Sequence, residues 1–174
     1  WSSDVCSSDL LLAASVFQSK PPGPAGGLLA HQDSFLVDEA AGYGLNAWVA
    51  LTRISSNDGP LFMLPGSHRY ANWIRVSTAD DDLAGMHAVI ERGARILEVE
   101  PGQVVWFDSA TIHGSLVNRG SALRLAVSAL AVPVSVPITV PVVAPGRSGS
   151  GQPPVVELRR IDPIVALGEA PPPP

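Results

Sequence analysis

The tripeptide His31-Gln32-Asp33 sets an imidazole and a carboxylate two positions apart. In an extended strand side chains alternate between faces, so His31 and Asp33 project to one side and Gln32 to the other. Side by side on a strand they make two ligands for a divalent metal. The pattern is short enough to recur by chance, so a third ligand has to come from elsewhere in the chain. There are four histidines. His113 opens the run His113-Gly114-Ser115, directly after the apolar stretch Val104-Val105-Trp106-Phe107-Asp108. His68, in the turn Pro65-Gly66-Ser67-His68, reads as structural or substrate-facing, and His87, in the irregular run Met86-His87-Ala88, as a surface residue. Two histidines and one carboxylate on one face of an octahedral ion leave three adjacent positions open, the arrangement of non-haem Fe(II) oxygenases. Structural zinc sites more often close with four protein ligands.

Arg124 is the second chemical signal. It interrupts an apolar strand that contains Leu123, Leu125 and Val127, and a guanidinium buried without a partner is costly. A hairpin turn at Asn118-Arg119-Gly120 would fold residues 122–130 back on residues 113–117, placing Arg124 opposite His113 or one place diagonal from it. Arg124, Ala126 and Ser128 then share a face. A dicarboxylate chelating a metal through one end would present its other carboxylate there, and the arginine fork binds carboxylate bidentately. The plainer alternatives are an exposed edge-strand arginine or an internal salt bridge.

The elements that must position these residues are short strands between Gly/Pro turns. Residues 28–33, 43–54, 61–64, 94–100, 103–108, 112–117 and 122–130 read as strands, rich in β-branched and aromatic residues. Lys20-Pro21-Pro22-Gly23-Pro24, Asn57-Asp58-Gly59-Pro60 and Pro65-Gly66 read as turns, with Pro101-Gly102 and Asn118-Gly120 as hairpin connections. Asp80-Asp81-Asp82 reads as the solvated start of a short helix rather than a metal site. This is a mainly β chain with little helix, best served by a double-stranded β-helix, a cupin-like jelly roll.

Three regions follow. Residues 1–10 look like a translated sequencing adapter joined to an incomplete gene, which would leave Cys6 uninformative. Residues 11–131 form the oxygenase-type core, expected to be incomplete at its N-terminal side. Residues 132–174 form a tail holding 11 of the 17 prolines, suited to edge-strand or polyproline structure and given no chemistry. The chain of 174 residues carries a net charge of -5 with 16% charged residues, which argues against a nucleic-acid or anionic-membrane partner. Residues 125–144 are apolar but broken by Pro133, Pro137 and Pro141, and residues 10–14 lack the basic flank of a signal peptide. One cysteine excludes a disulfide-stapled scaffold, and the expected compartment is the cytoplasm.

Taken in order, His31-Gln32-Asp33, Asn46-Ala47-Trp48-Val49-Ala50-Leu51, Asn57-Asp58-Gly59-Pro60-Leu61, Leu64-Pro65-Gly66-Ser67-His68-Arg69, Gly102-Gln103-Val104-Val105-Trp106-Phe107, His113-Gly114-Ser115 and Arg124 resemble the phytanoyl-CoA dioxygenase family of Fe(II)/2-oxoglutarate-dependent oxygenases. The likeness runs over about two-thirds of the chain, residues 17–131. It implies Fe(II) ligands His31, Asp33 and His113, the distal carboxylate of 2-oxoglutarate on Arg124 and Ser115, and Trp48 lining the co-substrate pocket. It implies a structural role for residues 65–69. It also implies O2 as the oxidant and hydroxylation of a small organic substrate, with succinate and CO2 as co-products. Related halogenases carry a small residue where Asp33 stands, so the aspartate favours hydroxylation. Loops 35–44 and 78–93 would line the substrate pocket, where Phe35, Tyr43 and Trp106 could touch an apolar substrate. Two other readings remain: an inactive jelly-roll module that binds metal or a small acid, and a cupin-like isomerase or hydrolase that would leave Arg124 and Ser115 unused.

Overall fold

Alternation drives the architecture. In β3 every second residue is buried, so Asn46, Trp48 and Ala50 point inward while their neighbours face out. The computed structural model describes residues 10–33, 37–39, 41–70, 83–143 and 156–160. Its strands are β1 (Leu10–Lys20), β2 (Leu28–His31), β3 (Leu45–Ala50), β4 (Leu61–Met63), β5 (Arg95–Leu97), β6 (Val104–Asp108), β7 (His113–Ser115), β8 (Arg124–Pro133), β9 (Thr139–Val143) and β10 (Val156–Arg160). One helix, α1 (His87–Gly93), follows a 3-10 turn at Ala84–Met86.

Two four-stranded antiparallel sheets face each other, with strand orders β1-β8-β3-β6 and β2-β7-β4-β5. Between them lies a core of Trp48, Ala50, Ile54, Leu61, Met63, Val99, Phe107 and Ala126. Each large side chain buried there contributes about 1.5–3 kcal/mol relative to exposure. A second cluster, with Ala13, Val37, Leu130, Val132, Val136 and Ile138, closes one end. On the outer face of the second sheet α1 seats Ile90 against Leu64, Leu83 and Ile112, with Phe62 packed beside them. This is the jelly roll expected of the strand pattern.

Four features depart from the sequence expectation. An 11-residue strand, β1, precedes the first one expected and pairs with β8 along its whole length, with a bulge between Leu12 and Ala14. Neither Pro101-Gly102 nor Asn118-Gly120 joins a hairpin: β5 and β6 lie in different sheets, and so do β7 and β8. Turn composition marks where a chain reverses but not which strand it will pair with, and in a jelly roll successive strands cross between sheets. Arg124 is therefore not opposite His113; its register partner is Lys20. Finally, Trp106 is 58% exposed on the outside of the first sheet, so it does not face a pocket. Residues beyond 131 also take part: β8 runs to Pro133, Val132 and Val136 are buried, and β9 pairs with β10 as a separate ribbon. Cys6, Phe35, Asp80, Asp81 and Asp82 lie outside the described residues.

The crossover from β7 to β8 is held by Asn118, which is completely buried. Its Nδ2 donates to Lys20 O and Ala122 O, both at 2.9 Å, and its Oδ1 accepts from Gly120 N at 3.0 Å. Asn118→Ala strands these backbone groups and should lower the unfolding free energy by about 2–3 kcal/mol in urea denaturation. A loss below about 0.5 kcal/mol, the size of an ordinary surface change, would show that the amide does not tie the crossover.

Candidate metal centre

Strand register brings the first two ligands together. His31 and His113 are direct partners in the β2–β7 ladder, and directly opposed residues project from the same face. Their rings lie 4.3 Å apart, centroid to centroid, tilted by 49°. Asp33, two residues beyond His31, turns the same way, as alternation demands. Its Oδ1 stands 3.7 Å from His31 Nε2 and 3.8 Å from His113 Nε2. The ligand atoms of the three residues all fall within 4.8 Å of one another. Two donors on one ion at about 2.1 Å each stand at most about 4.2 Å apart. Both carboxylate–imidazole distances meet that limit.

Hydrogen bonds behind the three side chains decide which of their atoms would face an ion. His31 Nδ1 donates to Leu29 O at 2.8 Å, and His113 Nδ1 donates to Thr111 O at 2.9 Å. Each bond places the neutral ring's proton on Nδ1 and leaves the Nε2 lone pair toward Asp33. Asn46 Nδ2 donates to Asp33 Oδ2 at 2.6 Å, which occupies one carboxylate oxygen and turns Oδ1 to the histidines. The Asp33 backbone is pinned by its N–H donating to Ser109 O at 3.0 Å. Phe107 packs against the His113 ring at 4.8 Å. The result is two imidazoles and one carboxylate oxygen on a rigid frame, a donor set that could hold a metal ion on one face.

The charges follow from the same contacts. Burial lowers the His31 pKa, but the Asp33 carboxylate and the bond to Leu29 outweigh it, and the net shift is upward. Burial raises Asp33, yet the hydrogen bond from His31, the charges of both imidazoles and the Asn46 amide bring it below its ordinary value. Burial dominates at His113 and lowers it, against the pull of Asp33.

Arg124 lies on the facing sheet, buried at 4% exposure. Its Nε and Nη1 have no hydrogen-bond partner among the described residues. The guanidinium carbon sits 5.3 Å from the Trp48 ring centroid, and Trp48 Nε1 donates to Gln18 Oε1 at 3.0 Å. Ser115, two residues after His113 and on the same face, accepts a hydrogen bond from Lys20 Nζ at 2.6 Å. A cavity of about 220 Å³ adjoins Asp33, with Gln18, Asn46, Ser109 and Ser128 in its walls. His68 is exposed in the 3-10 turn Ser67–Arg69, and His87 is exposed on α1; neither joins the cluster. The useful residue of that turn is Ser67, whose Oγ donates to Leu64 O at 2.7 Å and accepts from Ile112 N at 2.7 Å, fixing the approach to His113.

A family model described as phytanoyl-CoA dioxygenase (PhyH) matches residues 1–126. The chain belongs to this family. The human peroxisomal phytanoyl-CoA dioxygenase is 34% identical over 90 residues, which are 47% of this chain and 26% of the relative. A probable phytanoyl-CoA dioxygenase of Caenorhabditis elegans is 31% identical over 107 residues, 56% of this chain and 34% of the relative. The chain thus spans about a quarter to a third of the length of these curated relatives. Among solved structures, the non-haem α-ketoglutarate-dependent carbocyclase SnoK superposes with a TM-score of 0.65 at 25% identity, covering 74% of this chain and 53% of that one. EctD from S. alaskensis, solved with 2-oxoglutarate and 5-hydroxyectoine, superposes with a TM-score of 0.60 at 23% identity over 74% of this chain and 46% of that one; it shares the fold. Among the described residues no helix is long and apolar enough to cross a membrane.

Sequence reasoning did not find Asn46 or Lys20. Asn46 lies in the Asn46-Ala47-Trp48 run, and its parity with Trp48 was the available signal; Lys20 borders a proline-rich turn and gave none.

Asn46→Ala should lower divalent-metal affinity about 10–100-fold in calorimetric titration while the circular dichroism spectrum is kept. Unchanged affinity would refute the carboxylate clamp. Metal binding needs both imidazoles neutral, and His31, with its raised pKa, holds its proton longest. Affinity should therefore fall with acidification, first through His31, with proton release on binding; a pH-independent affinity would contradict this.

Proposed function

We propose that His31, Asp33 and His113 hold Fe(II) in an Fe(II)/2-oxoglutarate-dependent dioxygenase that hydroxylates a small organic substrate. The observation that carries the co-substrate part is the buried Arg124, whose Nε and Nη1 lack partners in the interior that also contains the metal cluster. A buried guanidinium with unpaired N–H groups is costly, and a carboxylate satisfies it bidentately. Three protein ligands on one face leave room for a chelating oxo-acid and a third small ligand. The distal carboxylate of 2-oxoglutarate would then lie against Arg124 and Ser115, with Trp48 as the wall beside the guanidinium.

With Fe(II), 2-oxoglutarate and O2 bound, the chemistry supplied is oxidative decarboxylation to succinate and CO2, coupled to insertion of the other oxygen atom into a substrate C–H bond. The protein's part is positional. Leu29 O and Thr111 O fix the histidine tautomers, and Asn46 keeps one Asp33 oxygen away from the ion. Asp33 fills the position that a halide would need, which favours hydroxylation. The cavity of about 220 Å³ beside Asp33, walled by Ala14, Val16 and Leu130 as well as by Gln18, Asn46 and Ser128, suits a small substrate. No side chain is required as a general base. We also propose the cytoplasm as its compartment, although the human relative is peroxisomal by name.

Anaerobic addition of Fe(II) and then 2-oxoglutarate to the metal-free protein tests this. A visible metal-to-ligand charge-transfer band is expected, lost in His113→Ala and weakened in Arg124→Ala. Folded protein that gives no band would sink the assignment and leave the inactive-module reading. Turnover without O2 would favour the isomerase or hydrolase reading.

A further inference from the structure

Lys20 is a buried cation outside every motif that the metal centre uses. It ends β1, is 5% exposed, and turns its side chain into the sandwich. Its Nζ donates to Ser115 Oγ and to Leu116 O, both at 2.6 Å, so β1 of one sheet is tied to β7 of the other. Across the β1–β8 ladder its partner is Arg124. Opposed residues of an antiparallel pair share a face, which puts two buried cations side by side. No ion pair joins either to a carboxylate among the described residues. Burial and then the charge of Arg124 draw the Lys20 pKa down to about 8. Adjacent buried charges of one sign call for an anion between them.

Ser115 sharpens the argument. A hydroxyl has one proton to give and two lone pairs to receive with. Because Ser115 Oγ accepts from the ammonium, its O–H is directed to a different acceptor. Leu116 O holds the ammonium in place and thereby holds the serine.

We propose that Lys20 is a positioning residue of the co-substrate subsite, keeping Ser115 as a donor to the distal carboxylate of 2-oxoglutarate and adding a second positive charge beside Arg124. This rests on the reading of Arg124 and Ser115 given above and extends it to a third residue. The ammonium must be protonated for both tasks. Arg124 on β8 is the charged group that faces it; β7 and the segment after it offer Ser115 and Leu116 O, and Asp58, next to the Gly59 backbone that packs on the lysine stem, is turned to Ser55. A bound carboxylate favours the charged form, so co-substrate binding takes up a proton above the free-protein pKa and weakens as pH rises through about 8.

The experiment is calorimetric titration of 2-oxoglutarate into the full chain loaded with Mn(II), from neutral pH to about pH 10, in buffers of different ionisation enthalpy. Native protein should lose affinity by up to about tenfold per pH unit above the lysine pKa, with proton uptake. Lys20→Met should bind at least about tenfold more weakly at neutral pH, with a flat pH response and unchanged Mn(II) affinity. Lys20→Arg should recover much of the affinity without the slope. Lys20→Met that binds as native protein does, or native binding without slope or proton uptake, overturns the proposal. If Lys20→Met does not fold, the native pH profile decides alone. Native protein that binds no 2-oxoglutarate, or Arg124→Met that binds it equally well, overturns the underlying reading instead.

Discussion

The centre depends on a strand of three residues. β7 is paired on one side with β2 and on the other with β4, and all three of its residues are buried. Gly114 makes the double pairing possible: a Cβ there would stand 2.7 Å from Leu28 O and would run into the Phe62 ring. With β2 allowed that close, His31 falls opposite His113, and the inward side chains of β7 become one imidazole and one hydroxyl. A slip of one residue would send all of them to the outer face. The Ser67 hydroxyl, bound to Ile112 N, fixes the same strand at its entrance.

Electrostatics divides the interior into two halves. Asp33 and two imidazoles gather at one end, where each ring Nδ1 donates to a backbone carbonyl. Lys20 and Arg124 gather on the facing sheet, with Trp48 under the guanidinium. The first half is short of a cation and the second is short of an anion. On the proposed reading, a dicarboxylate bridging from a metal ion to the two cations would satisfy both halves. The surplus negative charge of the chain as a whole has no part in this, because the interior groups act at short range in a poorly solvated space.

Much of this was legible in the residues. The His31/Asp33 parity needs only that the segment be extended, and Arg124, Ala126 and Ser128 do share a face because period-two alternation holds in either sheet. His113 was singled out because the better-placed turns left His68 and His87 outside, as they are. The pairing of strands was not legible. Gly and Pro mark reversals, yet the chain after Pro101-Gly102 and after Asn118-Gly120 crosses to the other sheet, so a partner inferred from the nearest turn was the wrong one. β1 was missed because Pro21 and Pro22 dominate the reading of the segment that follows it.

The sequence by itself determined most of the strand segments, the side-chain types of the candidate centre and the side of each strand on which they project, since these depend on local stereochemistry and on a family pattern held in order along the chain. Tertiary structure decided what each ligand meets. Asn46 clamps Asp33 across 13 residues, and Lys20 reaches Ser115 across 95. Contacts of that separation arise only when two sheets close on each other, because no local preference encodes which distant strand will supply the partner.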